Sequence, residues 1–555
     1  MRDRIFYLLW VIIGAIIFNA CEGDDDTPTP PPSPFDFLSL RINGIPRSLT
    51  SFNVDKNPVL KFTFSAPVNR NTVNSSFTFI DKVSTLIPYT VSYENADSSV
   101  LIRPVSPLAY ITKYKIILTT SLQSTNGGNL SSPIEVNFIT GIDSSRKFPQ
   151  ISFAALLDKV QQQTFKYFWD FAHPVSGLAR ERNTSGDLVT SGGSGFGIMA
   201  IPVAINRNFI TRAEGLARMQ TIVAFLKNTA VKVKGAFPHW LNGATGTIIP
   251  FSTNDNGADL VETSYLMMGL LTARQYFSGT DPAETALRND INILYNNVEW
   301  SWFRQNGQNV LYWHYSPDKQ WIMNLPIRGW NECLVTYVLA ASSTTFGVPA
   351  SVYTIGWKSG SNFTNGNTYY GYQLPLGPSL GGPLFFAHYS FLGINPNGLV
   401  DPSANYLTQN KNHTLINYSY CKANPRGFYG YSDSIWGLTS SDVEGGYNAN
   451  SPTNDVSVIA PTAAISSMPY TPAESTAALQ FYYYVLGDKL WKEYGFIDAF
   501  SLNNTWFATS FLAIDQGPII LMIENYRSGL LWNLFSSCPE VKAGMLSLGF
   551  TAPYL

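Results

Sequence analysis

The feature that most constrains this chain is a change in its hydrophobic period near residue 141. Before that point Leu60, Phe62 and Phe64 alternate with Lys61 and Thr63, and Ile134, Val136 and Phe138 alternate with Glu135 and Asn137, the period of half-buried strands. After it Phe153, Leu156, Leu157, Val160, Phe165 and Phe168 recur at steps of three and four, the period of one helix face. A single layer cannot serve both periods, and 555 residues exceed what one core usually holds. The chain therefore reads as an all-β domain followed by an all-α one.

Turn clusters at Asp55-Lys56-Asn57-Pro58 and Asn126-Gly127-Gly128-Asn129 separate the strand patterns, which predicts a small antiparallel sandwich over residues 35–141. It carries no catalytic constellation, so a spacer is the first reading and a glycan-binding module the second. In residues 150–555, Thr211-Arg212-Ala213-Glu214 has capping-box spacing. Asp281-Pro282-Ala283-Glu284 and Thr471-Pro472-Ala473-Glu474 each combine a cap, a proline at the first helical position and a glutamate at the third. With further helices expected over 258–277, 331–346, 457–467 and 518–535, roughly ten to twelve are predicted. The long Gly/Asn/Tyr-rich loops at 354–382 and 417–454 suit a helical barrel whose loops build a cleft.

The N-terminus has Arg2 and Arg4, an apolar run from Ile5 to Phe18, then Ala20-Cys21, too short to span a membrane and built like a cleaved signal. Residues 1–20 are read as a lipoprotein signal peptide with Cys21 as the lipidated residue; an ordinary secreted protein cut nearby is the alternative. The acidic run Glu22 to Asp26 resembles a surface-export signal of Bacteroidetes lipoproteins. Thr27 to Pro34 holds five prolines in eight residues, so 21–34 forms a stiff tether. The expected location is the outer membrane, at the cell surface or the periplasmic face, with the lipid as the only membrane contact. Cys333, Cys421 and Cys538 lack CxxC spacing, which speaks against zinc and leaves one disulfide plus a free thiol open.

A net charge of −2, 13% charged residues and 14% aromatic residues favour an uncharged ligand that stacks on rings over nucleic acid or an anionic membrane. Gly192-Gly193-Ser194-Gly195-Phe196-Gly197 lacks the order and setting of a nucleotide loop, so close backbone packing beside a cleft is expected. No HExxH occurs, Ser264 and Ser390 stand in no G-x-S-x-G elbow, and neither a metal nor a cofactor is expected.

Carboxylates are the lead. Asp255, Asp259 and Glu262 stand ahead of the apolar run Leu266 to Leu271, where repulsion and lost solvation are costly unless protonation or substrate offsets them; an acidic helix start facing water is the bland alternative. A helix beginning near Gly257 would put Asp259 and Glu262 on one face. Glu332 follows Trp330 at another candidate helix start, so acting as a proton donor requires burial to outweigh the helix dipole. Asp515 precedes a helix expected to open at Pro518, where the peptide dipoles favour an ionised base.

Taken in order, Thr164 to Phe171, Ser176 to Arg182, Gly192 to Met199, Phe237-Pro238-His239-Trp240, Asp259 to Tyr265, Gly329-Trp330-Asn331-Glu332, Gly381 to Phe385, Pro461 to Ala464 and Ile514 to Pro518 resemble the glucoamylase-like domain of glycoside hydrolase family 144. The sandwich resembles bacterial Ig-like domains. The first resemblance implies an (α/α)6 barrel and inverting hydrolysis of β-1,2-glucan, by endo cleavage or by release of sophorose from an end. It maps the family's acids onto Asp255, Asp259, Glu262, Glu332 and Asp515. Glu332 is read as the acid, with Glu262 as its rival, and Asp515 as the base. Arg180, Arg182, His239, Trp240, Trp313, His314, Trp330 and Tyr389 are subsite candidates for a β-glucan polysaccharide or oligosaccharide. A monomer is expected. A non-catalytic surface glycan-binding protein, or a phosphorylase or transglycosylase, are the alternatives.

Overall fold

The computed structural model describes residues 31–555, so the signal segment, Cys21 and most of the tether lie outside the described residues. The described chain divides into two compact units, one of residues 31–51, 57–107 and 114–138, the other of 52–56, 108–113 and 139–555.

Nine strands precede residue 141: β1 (Phe37–Ile42), β2 (Ile45–Arg47), β3 (Thr50–Val54), β4 (Leu60–Phe64), β5 (Phe77–Asp81), β6 (Tyr89–Glu94), β7 (Ser99–Pro104), β8 (Lys113–Leu118) and β9 (Ile134–Thr140), with one short helix, α1 (Arg70–Ser76). They form a five-stranded sheet in the order β2-β1-β4-β7-β6 and a four-stranded sheet in the order β3-β9-β8-β5. The alternation read from the sequence is kept: Leu60, Phe62 and Phe64 are buried while Lys61 and Thr63 are partly exposed.

The rest of the chain is helical: α2 (Phe153–Trp169), α3 (Ser191–Asn206), α4 (Arg212–Asn228), α5 (Leu260–Tyr276), α6 (Pro282–Asn296), α7 (Leu334–Ser342), α8 (Tyr406–Ala423), α9 (Pro461–Ile465), α10 (Pro472–Tyr484), α11 (Gly487–Leu490), α12 (Ala513–Ser528), α13 (Leu530–Ser536) and α14 (Pro539–Ser547). Thr211 and Glu214 close the expected capping box, and Asp281 caps α6 with Pro282 in the first turn. α3, α5, α7, α9 and α12 are buried nearly all round, whereas α2, α4 and α10 bury only one side. The result is an inner set of helices backed by an outer one. The 3₁₀ turns Leu384–Ala387 and Ser390–Leu392 continue the inner set, packing on α8 and on α7 and α12 respectively.

Gly192 to Gly197 lies inside α3, a helix that its own glycines disfavour and that tertiary packing imposes. A Cβ on Gly195 would stand 2.2 Å from the carbonyl oxygen of Tyr265, and one on Gly269 would stand 2.2 Å from that of Gly195, so α3 and α5 meet backbone to backbone. The close packing expected of this run is therefore present.

Two expectations need correction. The C-terminal helix starts at Ala513 and ends at Ser528, with α13 separate, so Pro518 sits inside α12 instead of opening it. Among the described residues the cysteines form no disulfide: Cys333, Cys421 and Cys538 are all free and buried. Among the described residues no helix is long and apolar enough to cross a membrane.

Candidate active site

A cleft of about 410 Å³ opens among the inner helices and their connecting loops, lined among others by Glu262, Glu332, His239, Trp240, Trp313 and Tyr389. That volume lies within the range of about 300–1,000 Å³ common for small-ligand sites. Arg182 and Tyr447 line both this cleft and a neighbouring recess of about 600 Å³ that Trp506 and Asp442 also line.

Asp259 does not share a helix face with Glu262, because it is the N-cap of α5. Its Oδ1 accepts the backbone N–H groups of Val261 (3.0 Å) and Glu262 (2.9 Å), while Oδ2 lies 3.1 Å from His239 Nδ1 and 3.6 Å from His314 Nε2. His314 Nε2 also donates to Asp255 at 3.2 Å, reached because the 314–315 strand pairs with 258–259. Burial opposes charge on these groups, but the hydrogen bonds from both histidines hold Asp259 well below the usual carboxylate range. Burial likewise opposes a charged imidazole. It is outweighed at His239 by the field of Glu262 and the bond to Asp259, and at His314 by the bonds to Asp255 and Asp259, which carry the two to about 9 and about 10. His239, Asp255 and Asp259 offer ligand atoms within 4.8 Å of one another. Protonated imidazoles donate rather than ligate, so this is an ion-pair network and a poor cation site.

Glu262, one turn into α5, accepts the N–H of Gly192 at 2.8 Å; a side chain on Gly192 would fall on this carboxylate. Burial raises the Glu262 pKa, opposed by His239 and that N–H. Glu332 precedes α7, its carbonyl anchored by the hydroxyls of Ser390 and Tyr265. Burial pushes its carboxyl up to about 7, helped by the charges of Glu262 and Asp259. It is thus a partly exposed cleft carboxyl that gives up its proton only around neutrality.

Asp515 lies in the first turn of α12, 2% exposed, and is not ionised by the helix dipole. Burial raises its pKa well above the ordinary value, and contact with Asp498 raises it further. Tyr389, on the cleft wall, feels Asp515, Glu262 and Glu332 together, so these three acids flank one phenol.

The subsite candidates divide. Trp240 faces the cleft with an indole N–H that has no partner, and Trp313 stacks on His314 with ring centres 5.7 Å apart. Arg182 is held by Glu181 (2.8 Å) and Asp442 (3.2 Å) at the cleft edge. Arg180 does not reach the cleft: its guanidinium donates to the carbonyls of Gly186 and Phe171. Trp330 is 2% exposed and packs among Trp357, Tyr406 and Phe391 as core. His388 is a buried histidine bonded to Ser467 and pushed down to about 3 by burial. Sequence reasoning missed Asp442, Asp498 and Tyr447; an acid flanked by Phe496-Ile497 and Ala499-Phe500 was the only signal for Asp498.

Comparison with known proteins gives a consistent set of matches. The family model described as "Putative glucoamylase" matches residues 324–539, and the bacterial Ig-like domain model matches residues 44–140. An exo β-1,2-glucooligosaccharide sophorohydrolase of Parabacteroides distasonis is 47% identical over 413 residues, which is 70% of this chain; the chain spans 57% of that relative's length. The endo-β-1,2-glucanase of Chitinophaga pinensis, solved with sophorotriose and glucose, is 50% identical, covers 73% of this chain and is itself covered completely, with a TM-score of 0.71. A β-1,2-glucanase structure from P. distasonis is 36% identical, covering 93% of this chain and 73% of its own, with a TM-score of 0.71.

Proposed function

The chain belongs to the glucoamylase-like family, glycoside hydrolase family 144, and from that membership we propose that it hydrolyses β-1,2-glucan with inversion at the anomeric carbon. The observation that carries this reading is Glu332, a carboxyl on the cleft that burial pushes up to about 7. An acid of that kind protonates the glycosidic oxygen, while a second carboxyl takes the proton of the attacking water. Asp515 is that second group, working as part of a buried acid pair and reaching the water directly or through one hydroxyl. Trp240, Trp313 and Tyr389 hold the sugar faces, and the His239–Asp259–His314–Asp255 network fixes the wall beside Glu262. The adjoining recess at Tyr447 and Trp506 offers room for the chain to continue.

The N-terminal Ig-like domain acts as a spacer, and Cys21 carries the lipid that anchors the protein at the outer membrane. Cys21→Ala is expected to release it from membranes, since among the described residues no helix is long and apolar enough to cross one; continued membrane association would refute the anchor.

The test is product chromatography on linear β-1,2-glucan with wild type, Glu332→Gln and Glu262→Gln. Mixed oligosaccharides indicate endo cleavage and sophorose alone indicates exo cleavage. Glu332→Gln is expected to lose about 10²–10⁴-fold in turnover, more than Glu262→Gln, with partial rescue by a substrate carrying a good leaving group. Rescue of Glu262→Gln instead would make Glu262 the acid, and phosphate-dependent products would replace hydrolysis by phosphorolysis.

A further inference from the structure

Behind the cleft, Asp498 and Asp515 form a buried pair of carboxyls, 1% and 2% exposed. Asp498 comes from the loop after α11 and Asp515 from the first turn of α12, and the backbone fixes both. Asp498 N–H donates to the carbonyl of Ser510 (3.0 Å), Asp515 N–H to that of Leu512 (3.1 Å), and Gln516 Nε2 ties α12 to the carbonyl of Phe496 (2.9 Å). One oxygen of Asp498 accepts the backbone N–H of Asp442 at 2.7 Å. Asp498 Oδ1 and Asp515 Oδ2 each have no N–H or O–H donor from any other group, yet the two side chains are in hydrogen-bonding contact. Two carboxylates cannot make that contact without a proton between them.

We propose that Asp498 is a positioning residue for Asp515: the two carboxyls hold one proton between them, which orients Asp515 and leaves the pair one negative charge to take up the proton of the attacking water. This rests on the reading of Asp515 as the base. The arrangement resolves a conflict in that reading, since a lone carboxyl buried this deeply would be neutral and unable to accept a proton. The groups facing the pair fit a single retained charge. Asp442 and Glu181 add negative field, Arg182 adds positive field, and the Tyr389 phenol, driven upward by burial, stays neutral. Arg182 is shared between Glu181 and Asp442, and the Ser510 hydroxyl donates to Asp442 at 2.5 Å, so neither Asp498 nor Asp515 has a cation paired to it. Such a pair titrates as a unit, its apparent values set by both members.

Asp498→Asn is the decisive variant, because its amide can accept from Asp442 N–H and donate to Asp515, keeping the fold while removing the shared proton. Its KM on β-1,2-gluco-oligosaccharides is expected to stay within about threefold of wild type while kcat falls roughly tenfold or more. The ascending limb of its kcat profile is expected to move to higher pH, because an amide N–H stabilises the Asp515 carboxylate less than the shared carboxyl proton does. A folded Asp498→Asn with an unmoved limb, or with KM and kcat impaired together, would overturn the proposal. Infrared spectra of the folded wild type decide it if that variant does not fold. A protonated-carboxyl band present at neutral pH, retained in Glu332→Gln and lost in Asp515→Asn, is expected, and its absence from the wild type would overturn the shared proton. Turnover of Asp515→Asn within a few-fold of wild type would instead refute Asp515 as the base, and the proposal would fall with it.

Discussion

At the scale of single residues, the wall of the cleft is held by two imidazoliums between two carboxylates, and that makes its integrity depend on pH in a definite direction. His239 and His314 rise from an ordinary 6.5 to about 9 and about 10 on folding, so the stability they contribute is fully present below about 6.5 and is lost as pH climbs through the folded values. Asp259 moves the opposite way, contributing above the ordinary carboxylate value and failing only in strong acid. The melting temperature of wild type is therefore expected to fall between neutral and alkaline pH more steeply than that of His314→Gln; parallel curves would show that His314 is not charged in the fold. The same protonation argues against a cation, so EDTA is expected to leave turnover unchanged, and a loss restored by added metal would contradict the network. Asp255, Asp259 and Glu262 were legible in the sequence because acids before an apolar run announce a cost. Their partner His314 was only a candidate, since nothing in its own neighbourhood says that the 314–315 strand pairs with 258–259. Asp515 was legible as a site and misread in charge: Pro518 signals a first helical position, and no local signal reveals that Asp498 lies against it.

At the scale of elements, the order and type of the long segments follow from periodicity and caps, while their ends follow from packing. Thr211, Asp281 and the alternation of Leu60 to Phe64 sit where local chemistry puts them. Two boundaries resisted. α12 starts five residues before Pro518 because Gly517 packs against Phe196, where an added Cβ would come within 2.5 Å of the Phe196 Cβ, and this contact carries the helix through its proline. α3 forms from a glycine-rich run that propensity alone would leave as a loop, because only a surface without side chains can approach α5 so closely. Gly195→Ala is accordingly expected to destabilise the protein by about 1–3 kcal/mol or more through overpacking, and to lower activity through the displaced Tyr265 and Glu262. Urea unfolding checks the first, and a midpoint equal to wild type would mean that the two helices can separate without penalty.

At the scale of the whole molecule, the two periods of the sequence correspond to two compact units, and the cleft belongs to one of them. Each side chain named here as lining the cleft lies between Glu181 and Ile514, and Asp255, Asp259, Asp498 and Asp515 belong to the same unit. The sandwich has its own buried core of Leu60, Phe62, Phe79, Val100, Ile116 and Val136, so neither body needs the other's apolar residues to close its interior. Deleting residues 22–141 is thus expected to leave a folded helical unit that hydrolyses soluble β-1,2-glucan with kcat/KM within a few-fold of the full chain. Residues 52–56 and 108–113, which group with the helical unit, are lost in that deletion, so a lower melting temperature is expected alongside the retained turnover. Circular dichroism and product release on the same preparation separate the two effects. A deletion variant with native helical content and no turnover would mean that the sandwich takes part in catalysis or in holding the glucan, and its role as a spacer would have to be abandoned.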